Sequence, residues 1–272
     1  MAFVDAYGPW AVVTGASSGI GREMAIDLAS RGLNIAVIAR RTKRLEALAG
    51  ELEAAHGIET RVVTADLATD DGVQRVAALA DELPVGLLVN NAGISAPFVP
   101  FHELPLETIS QMSRLNMLAP ATLMHVYLKP MLARRRGGII NVASTAAYQP
   151  MPLMANYAAT KAYLLNLGDA VAQEVASHGI DLVTLCPGPT ETEIVGHVGL
   201  DTDGAMQKML MPADRVARQA IDALGRRRIV IPGLTNKVSA IMAQRLVPRG
   251  WITRMIHATL RRTLAKDAGD AS

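Results

Sequence analysis

Short apolar segments alternate along the chain with longer segments in which apolar residues recur every three or four positions. The short segments predict buried strands, and the longer ones predict amphipathic helices. The predicted strands span residues 10–14, 34–39, 60–64, 86–90, 138–143, 181–186 and 228–231. The predicted helices span residues 21–31, 43–55, 70–83, 105–135, 157–177 and 212–224.

This alternation is typical of repeated β-α units around a parallel sheet. We expect an α/β fold with a single-domain, Rossmann-type, doubly wound parallel sheet of seven strands and helices on both faces. Right-handed crossovers then place the ligand crevice at the carboxyl ends of the strands. The predicted catalytic domain covers residues 1–232 and includes a substrate lid at about 190–211. Residues 233–272 are predicted to form a basic, amphipathic helical extension.

Composition excludes several classes of protein. The formal net charge of +2 is too small to indicate a nucleic-acid partner. Cys186 is the only cysteine, which rules out an internal disulfide and favours a reducing, cytoplasmic compartment. The N-terminal residues show no signal-peptide pattern, and no apolar run reaches the roughly 18–20 residues of a spanning helix. The histidines show no metal-ligand spacing, so no metal site is expected.

Three glycines follow the first predicted strand and open the first long helix: Gly15, Gly19 and Gly21. Gly15 permits a tight turn, Gly19 lets the backbone approach a pyrophosphate, and Gly21 lets helix and strand pack closely. The helix N-terminus favours the negative charge of the phosphates. An ordinary glycine turn is the alternative, but the strand before and the helix after favour a dinucleotide site.

The end of the second predicted strand indicates which dinucleotide. An NAD site usually places an acid there to bind the ribose 2′-hydroxyl, and residues 38–44 contain none. Arg40 directly follows the strand and can form paired hydrogen bonds to a 2′-phosphate. The sequence therefore favours NADP(H). The alternative is that residues 40–44 only form the solvated start of a helix.

Tyr157 and Lys161 lie one helical turn apart, and Ser144 ends a predicted strand upstream. A ketone that accepts hydride at carbon needs a proton at oxygen, which Tyr157 can donate. The unperturbed tyrosine pKa of about 10 is too high for a base near neutrality, so we expect the positive charges of Lys161 and an oxidised nicotinamide ring to lower it. We expect Ser144 to orient the carbonyl. Tyr148 and Tyr163 are rival acids, but neither has a lysine four residues later.

With these motifs in this order, the sequence resembles the short-chain dehydrogenase/reductase family from residue 10 to about residue 232. The matching elements are T-G-x-x-x-G-x-G at residues 14–21, Asp66, N-N-A-G at residues 90–93, P-G at residues 187–188, and Thr192. The resemblance implies a catalytic tetrad of Asn116, Ser144, Tyr157 and Lys161, with Asn116 holding a water that passes protons to Lys161. The implied cofactor-binding residues, together with Arg40, are Gly15, Ser17, Ser18, Gly19, Ile20, Gly21, Asp66, Leu67, Asn91, Ala92, Gly93, Tyr157, Lys161, Pro187, Gly188, Thr190 and Thr192.

The opening G-P-W-A-V-V-T at residues 8–14 is also similar to a narrower branch, the 17β-hydroxysteroid dehydrogenases and very-long-chain 3-oxoacyl reductases. These resemblances imply an NADP(H)-dependent oxidoreductase that interconverts a hydrophobic ketone, such as a 3-oxoacyl or steroid substrate, and its secondary alcohol. The alternative is a non-catalytic NADP(H)-binding protein that senses redox state or acts as a scaffold.

Two further expectations concern partners. The family commonly pairs through its two long helices, so we expect a homodimer or homotetramer. The apolar residues that exceed the expected needs of one sheet face are Leu115, Leu118, Leu123, Val126, Leu164, Leu165 and Leu167. After Gly225 the chain carries ten Lys and Arg residues before its next acid, Asp267. The predicted helix at residues 251–264 groups Ile252, Met255, Ile256 and Leu260 on one face. It either packs on protein or makes a peripheral contact with an anionic membrane.

Overall fold

A computed structural model describes residues 2–193, 210–245 and 247–269. Within these residues, seven strands form one parallel sheet in the order β3-β2-β1-β4-β5-β6-β7. The strands are β1 Trp10–Thr14, β2 Asn34–Ala39, β3 Thr60–Thr64, β4 Val85–Asn90, β5 Gly137–Val142, β6 Ile180–Leu185 and β7 Ile229–Val230. The predicted doubly wound α/β sheet is confirmed, and each predicted strand end lies within one residue of the observed end.

Helices cover the sheet as the periodicity predicts. Their bounds are α1 Phe3–Tyr7, α2 Gly19–Ser30, α3 Thr42–His56, α4 Asp70–Glu82, α5 Leu106–Ser113, α6 Ala119–Arg134, α7 Ala155–Val175, α8 Ala213–Ile221, α9 Leu234–Arg245 and α10 Arg249–Gly269. The predicted helix at residues 105–135 is interrupted, because a π-helical turn at Arg114–Leu118 separates α5 from α6. The short helix α1 was not predicted, since five residues give too little periodicity.

The apolar residues form one core on each face of the sheet. Ala11 and Val13 of β1 pack into the core that contains α2 and α8. Val12, which points the other way, packs into the core that contains Leu123 of α6 and Leu164 of α7. Strands buried on both faces explain why the apolar runs are continuous rather than alternating.

Four of the residues proposed as surplus for an oligomer interface lie inside the chain. Leu115, Leu123, Leu164 and Leu165 are at most 9% exposed. The expectation that they are surplus is wrong, because these side chains are needed to fill the chain's own core. Leu118, on the π-helical turn, is 55% exposed and remains available on this surface.

The C-terminal helices pack on the body through one side only. Ala240 of α9 and Ile252 of α10 are buried, and α9 lies against the turn Thr145–Tyr148. On the predicted apolar face of α10, Ile252 is buried and Ile256 and Leu260 are part-buried, whereas Met255 is 65% exposed. None of the helices in the described parts of the chain is long and apolar enough to cross a membrane.

Helix α7 approaches the sheet closely at Gly168. A Cβ built there would lie 2.3 Å from Thr184 Oγ1 of β6 and 3.1 Å from Asn141 Nδ2 of β5. Both neighbours are fully buried. A glycine at this position therefore sets how near α7, which carries Tyr157 and Lys161, lies to the strand ends.

We expect Gly168→Ala to lower the free energy of unfolding by about 1–3 kcal/mol, because the added methyl overpacks a buried contact. The matched control is Gly50→Ala in α3, where a Cβ would meet nothing within 4 Å. That change should be neutral or stabilise by up to about 1 kcal/mol, since alanine is the better helix former. Urea unfolding of the two variants measures both effects. Equal stability of the two variants would contradict the close approach of α7.

Candidate active site

The glycine-rich turn contains positions that only glycine suits. Gly15 and Gly19 have φ angles of 67° and 54°, in the left-handed region. At Gly21 the limit is space, since a Cβ would lie 2.3 Å from Asn91 Nδ2 and 2.5 Å from the Gly15 carbonyl oxygen. The turn ends at the N-terminus of α2, where unpaired backbone N–H groups favour an anion.

Thr14 and Asn91 join the ends of β1 and β4. Thr14 Oγ1 donates to the Val89 carbonyl (3.0 Å) and accepts from the backbone N–H groups of Asn91 (2.9 Å) and Ala92 (3.0 Å). The Asn91 amide in turn donates to the Thr14 carbonyl at 2.9 Å. We call these contacts the Thr14–Asn91 junction. It fixes the N-N-A-G segment against the glycine-rich turn.

Asn116 lies in the π-helical turn and holds the chain beyond β4. Its Oδ1 accepts from the Ile94 N–H at 3.0 Å, and its Nδ2 donates to the Ile94 carbonyl at 2.9 Å and to Thr160 Oγ1 at 3.1 Å. The asparagine therefore connects β4, this turn and α7. A π-helical turn inside a helix often marks a functional position, because it redirects a side chain.

Ser144, Tyr157 and Lys161 meet where β5 ends. Ser144 Oγ accepts from the Ala146 N–H at 3.1 Å and thereby caps the turn Thr145–Tyr148. Accepting this bond leaves its own proton to be donated toward Tyr157 or a substrate oxygen. Lys161 Nζ donates to the Val142 carbonyl at 2.9 Å and lies 5.8 Å from the centroid of the Tyr157 ring.

Gly93 leaves an opening between two members of the predicted tetrad. A Cβ at this residue would lie 3.2 Å from Asn116 Oδ1 and 3.3 Å from Lys161 Nζ. The two polar atoms therefore face the same small space beside the backbone of Gly93. The structure thus brings all four predicted catalytic residues to one edge of the sheet.

Burial controls the charge states of the central pair. It raises the pKa of Tyr157, and the hydrogen bond with Ser144 only partly opposes this. The expected lowering of the Tyr157 pKa involves an oxidised nicotinamide as well as Lys161, and in the protein alone this pKa is raised. Lys161 is also buried, which lowers its pKa to about 8, so its own charge is costly in this cleft. Tyr157 is thus held in the protonated form that a proton donor requires.

The alternative acids and the lone thiol fit structural roles. Burial, followed by the effects of Cys186 and then Asp169, raises the pKa of Tyr148, and Tyr163 is 36% exposed on the outer side of α7. Burial raises the pKa of the Cys186 thiol to about 11, which keeps it protonated. A protonated, fully buried thiol is a core residue rather than a nucleophile.

The arginine that contacts the glycine-rich turn is Arg41 rather than Arg40. Both arginines are exposed, but Arg41 Nη2 donates to Ser17 Oγ at 2.8 Å and to Ser18 Oγ at 2.7 Å. Arg40 was predicted because it comes directly after the strand. The missed signal is that α3 begins only at Thr42, so two residues of the connection precede it.

The remaining predicted cofactor residues differ in whether their side chain or only their backbone can face a ligand. The side chains of Ile20 and Leu67 are buried in the two cores, so only their backbone can face a ligand. Asp66 Oδ1 accepts from the Ala68 N–H at 3.0 Å.

The segment after β6 reaches both ends of the cleft. The Pro187 carbonyl accepts from the Thr145 N–H at 2.9 Å, beside Ser144. Thr190 Oγ1 donates to the Gly188 carbonyl at 3.0 Å. Thr192 lies over the glycine-rich turn, since a Cβ at Gly19 would be 2.8 Å from its methyl carbon. Most of the predicted lid lies outside the described residues.

An apolar recess opens beside Tyr157. Its other lining residues are Ala96, Pro97, Val99, Phe101, Leu104, Met112, Leu153, Met154, Ala155 and Asn156. Only Tyr157 and Asn156 bring polar side chains to it, so the surroundings of Tyr157 on this side are mostly apolar. In the described parts of the chain, no cluster of three or more His, Cys, Asp or Glu side chains is placed to hold a metal ion.

Comparison with known proteins agrees with this geometry. The family model described as short chain dehydrogenase matches residues 9–203. The 17-beta-hydroxysteroid dehydrogenase type 3 of Mus musculus is 30% identical over 248 residues, which cover 91% of this chain and 79% of the mouse protein. The inactive hydroxysteroid dehydrogenase-like protein 1 of Homo sapiens is 31% identical over 269 residues, 97% of this chain and 80% of the human one.

A solved structure gives the same result. The short-chain dehydrogenase from Sphingobium yanoikuyae in complex with NADPH is 30% identical and superposes with a TM-score of 0.80, over 88% of this chain and 93% of that chain. Sequence motifs, sheet order and family match agree, and this chain belongs to the short-chain dehydrogenase/reductase family of oxidoreductases.

Proposed function

We propose that this protein is an NADP(H)-dependent oxidoreductase that interconverts a hydrophobic ketone and its secondary alcohol. The observation that carries the proposal is the group formed by Ser144, Tyr157 and Lys161 at the end of β5, beside an apolar recess. The residues also fit a dinucleotide, because Gly15 and Gly19 give the turn before α2 its left-handed backbone angles, and Gly93 leaves space beside Asn116 and Lys161.

In the reductive direction, Tyr157 is the proton donor. When bound, NADPH supplies the hydride for the carbonyl carbon, and the proton must reach the carbonyl oxygen from the protein. Ser144 donates a hydrogen bond to the same oxygen and orients it. The raised pKa keeps the Tyr157 hydroxyl protonated at neutral pH. In the oxidative direction Tyr157 must lose its proton, and a positive charge near the phenol, from Lys161 or the oxidised nicotinamide, lowers that cost.

Tyr157→Phe should lower turnover by at least about 100-fold, the lower range for losing a positioned proton donor, and leave cofactor binding nearly unchanged. Tyr163→Phe, on the same helix but exposed, is the matched control and should keep normal turnover. NADPH oxidation is followed across a panel of steroid, acyl-thioester and aromatic ketones.

The same measurement distinguishes the proposed enzyme from the alternative, a non-catalytic NADP(H)-binding protein. A protein that binds NADP(H) only to sense redox state would bind NADPH and turn over no ketone of the panel. The inactive human relative makes this alternative concrete, since overall similarity to it does not distinguish the two functions. Near-normal turnover by Tyr157→Phe would refute the proposed mechanism itself.

NADP(H) preference is supported by the position of Arg41. Its guanidinium reaches Ser17 and Ser18 on the glycine-rich turn, and Arg44 lies one turn of α3 further on. Cations here favour a 2′-phosphate, and residues 38–44 contain no acid for a ribose hydroxyl. We propose Arg41 as the principal ligand and retain Arg40 as a contributor.

Arg41→Ala should raise the Kd for NADPH by roughly 10–100-fold, the range for a lost charge-assisted hydrogen bond, and change the Kd for NADH little. Arg40→Ala, the comparison variant, should have a smaller effect on NADPH. Both constants are measured by fluorescence titration of the reduced cofactors. Equal loss of NADH and NADPH affinity in Arg41→Ala would show that the arginine does not read the 2′-phosphate.

Substrate and assembly remain parts of the proposal. The mostly apolar side chains that line the recess beside Tyr157 support a hydrophobic substrate, such as a steroid or a 3-oxoacyl compound, over a sugar. A homodimer or homotetramer through α6 and α7 is supported by the exposed Leu118 and Tyr163 rather than by the buried leucines.

We also propose a cytoplasmic location, in keeping with the free, reduced thiol of Cys186.

A further inference from the structure

We propose that Glu193 is an internal competitor for the 2′-phosphate: its carboxylate binds Arg41 and Arg44 in the cofactor-free protein, and NADP(H) must displace it. This inference rests on the proposed NADP(H) preference. It adds a residue, from the segment after β6, that sets how strongly the protein binds NADP(H) relative to NAD(H).

The contacts place Glu193 among the groups expected to hold the phosphate. Its Oε2 accepts from Arg41 Nη1 at 2.6 Å, and its Oε1 accepts from Arg44 Nη1 at 2.5 Å. The same Arg41 guanidinium donates to Ser17 and Ser18 through its other nitrogen atoms. One carboxylate thus bridges the two cations that face the ribose end of the site.

The carboxylate is anionic under all working conditions. Hydrogen bonds from Arg44 and Arg41 lower the pKa of Glu193 to about 2. Its side chain is nevertheless 42% exposed, and both arginines are about as exposed, so water and salt weaken the pairs. Glu193 therefore occupies the two arginines, but its ion pairs are weak enough for another anion to displace it.

A 2′-phosphate competes well for these cations. It carries close to two negative charges where Glu193 carries one, and it offers three acceptor oxygens to the arginines and the two serines. The two anions repel each other, so both cannot keep the same partners. NADH has no group that needs these cations, and its binding leaves Glu193 in place.

Displacement also has a structural consequence. Glu193 directly follows Thr192, which lies over Gly19, so its ion pairs help to hold residues 190–193 against the glycine-rich turn. When the phosphate takes the arginines, this end of the segment loses its anchor. Occupation of the 2′-phosphate site is thereby coupled to the position of the segment that reaches the nicotinamide end.

The test is binding of 2′,5′-ADP and 5′-AMP by isothermal titration calorimetry to the full-length wild type and variants. These probes isolate the 2′-phosphate and need no turnover. Glu193→Gln should bind 2′,5′-ADP about 3–10-fold more tightly at low salt and 5′-AMP with unchanged affinity, since only the phosphate competes. The gain should shrink as salt rises.

Glu191→Gln is the matched control. It removes the same charge from an exposed residue two positions away and should change the 2′,5′-ADP affinity much less. A second control combines Arg41→Ala with Glu193→Gln, where the gain from the glutamine should largely vanish because the shared cation is gone.

The possible results separate the two proposals. Unchanged or weaker 2′,5′-ADP binding by Glu193→Gln, or an equal gain in Glu191→Gln, overturns the competition while leaving a selective Arg41→Ala loss in support of NADP(H). If Arg41→Ala also fails to weaken 2′,5′-ADP, the NADP(H) preference falls and the competition falls with it.

Discussion

The site depends on the junction of Thr14 and Asn91, where the carboxyl ends of β1 and β4 meet. One threonine hydroxyl serves three backbone partners, and one asparagine amide fills the space that Gly15 and Gly21 leave. The Thr14 side chain is buried, so losing one of the partners of its hydroxyl would leave a polar group unsatisfied at a cost of about 1–3 kcal/mol. Because the sheet is parallel, the junction brings the glycine-rich turn and the N-N-A-G segment to the same edge of the sheet, at the carboxyl ends of the strands.

Asn116 connects this junction to helix α7, which carries Tyr157 and Lys161. Its amide fixes the backbone at Ile94, four residues beyond the end of β4, and contacts Thr160 of α7. Gly168 lets α7 lie close enough to β5 and β6 for Lys161 to reach the Val142 carbonyl. The resulting burial raises the pKa of Tyr157 and lowers the pKa of Lys161. These two shifts determine the protonation states of the residues proposed to carry the chemistry.

Much of this was predictable from sequence, for physical reasons. Strands buried on both faces leave continuous apolar runs, and glycines between a strand and a helix are typical of a phosphate-binding turn. The π-helical turn at Arg114–Leu118 was not predictable, because over one turn its apolar spacing is too close to that of an α-helix. Arg41 was missed because a one-residue change after a strand reverses the direction of a side chain. The pKa of Tyr157 depends on burial and distance, which spacing alone does not give.

The central claim is that this site transfers hydride between a nicotinamide and a carbonyl carbon. The most direct test is mass spectrometry of the product formed from a bulky hydrophobic ketone and NADPH that carries deuterium at both hydrogen positions of the nicotinamide C4. The wild type should form an alcohol that carries deuterium at its carbinol carbon, and Tyr157→Phe should not. NADPH binding without deuterated alcohol from any ketone of the panel would contradict the claim.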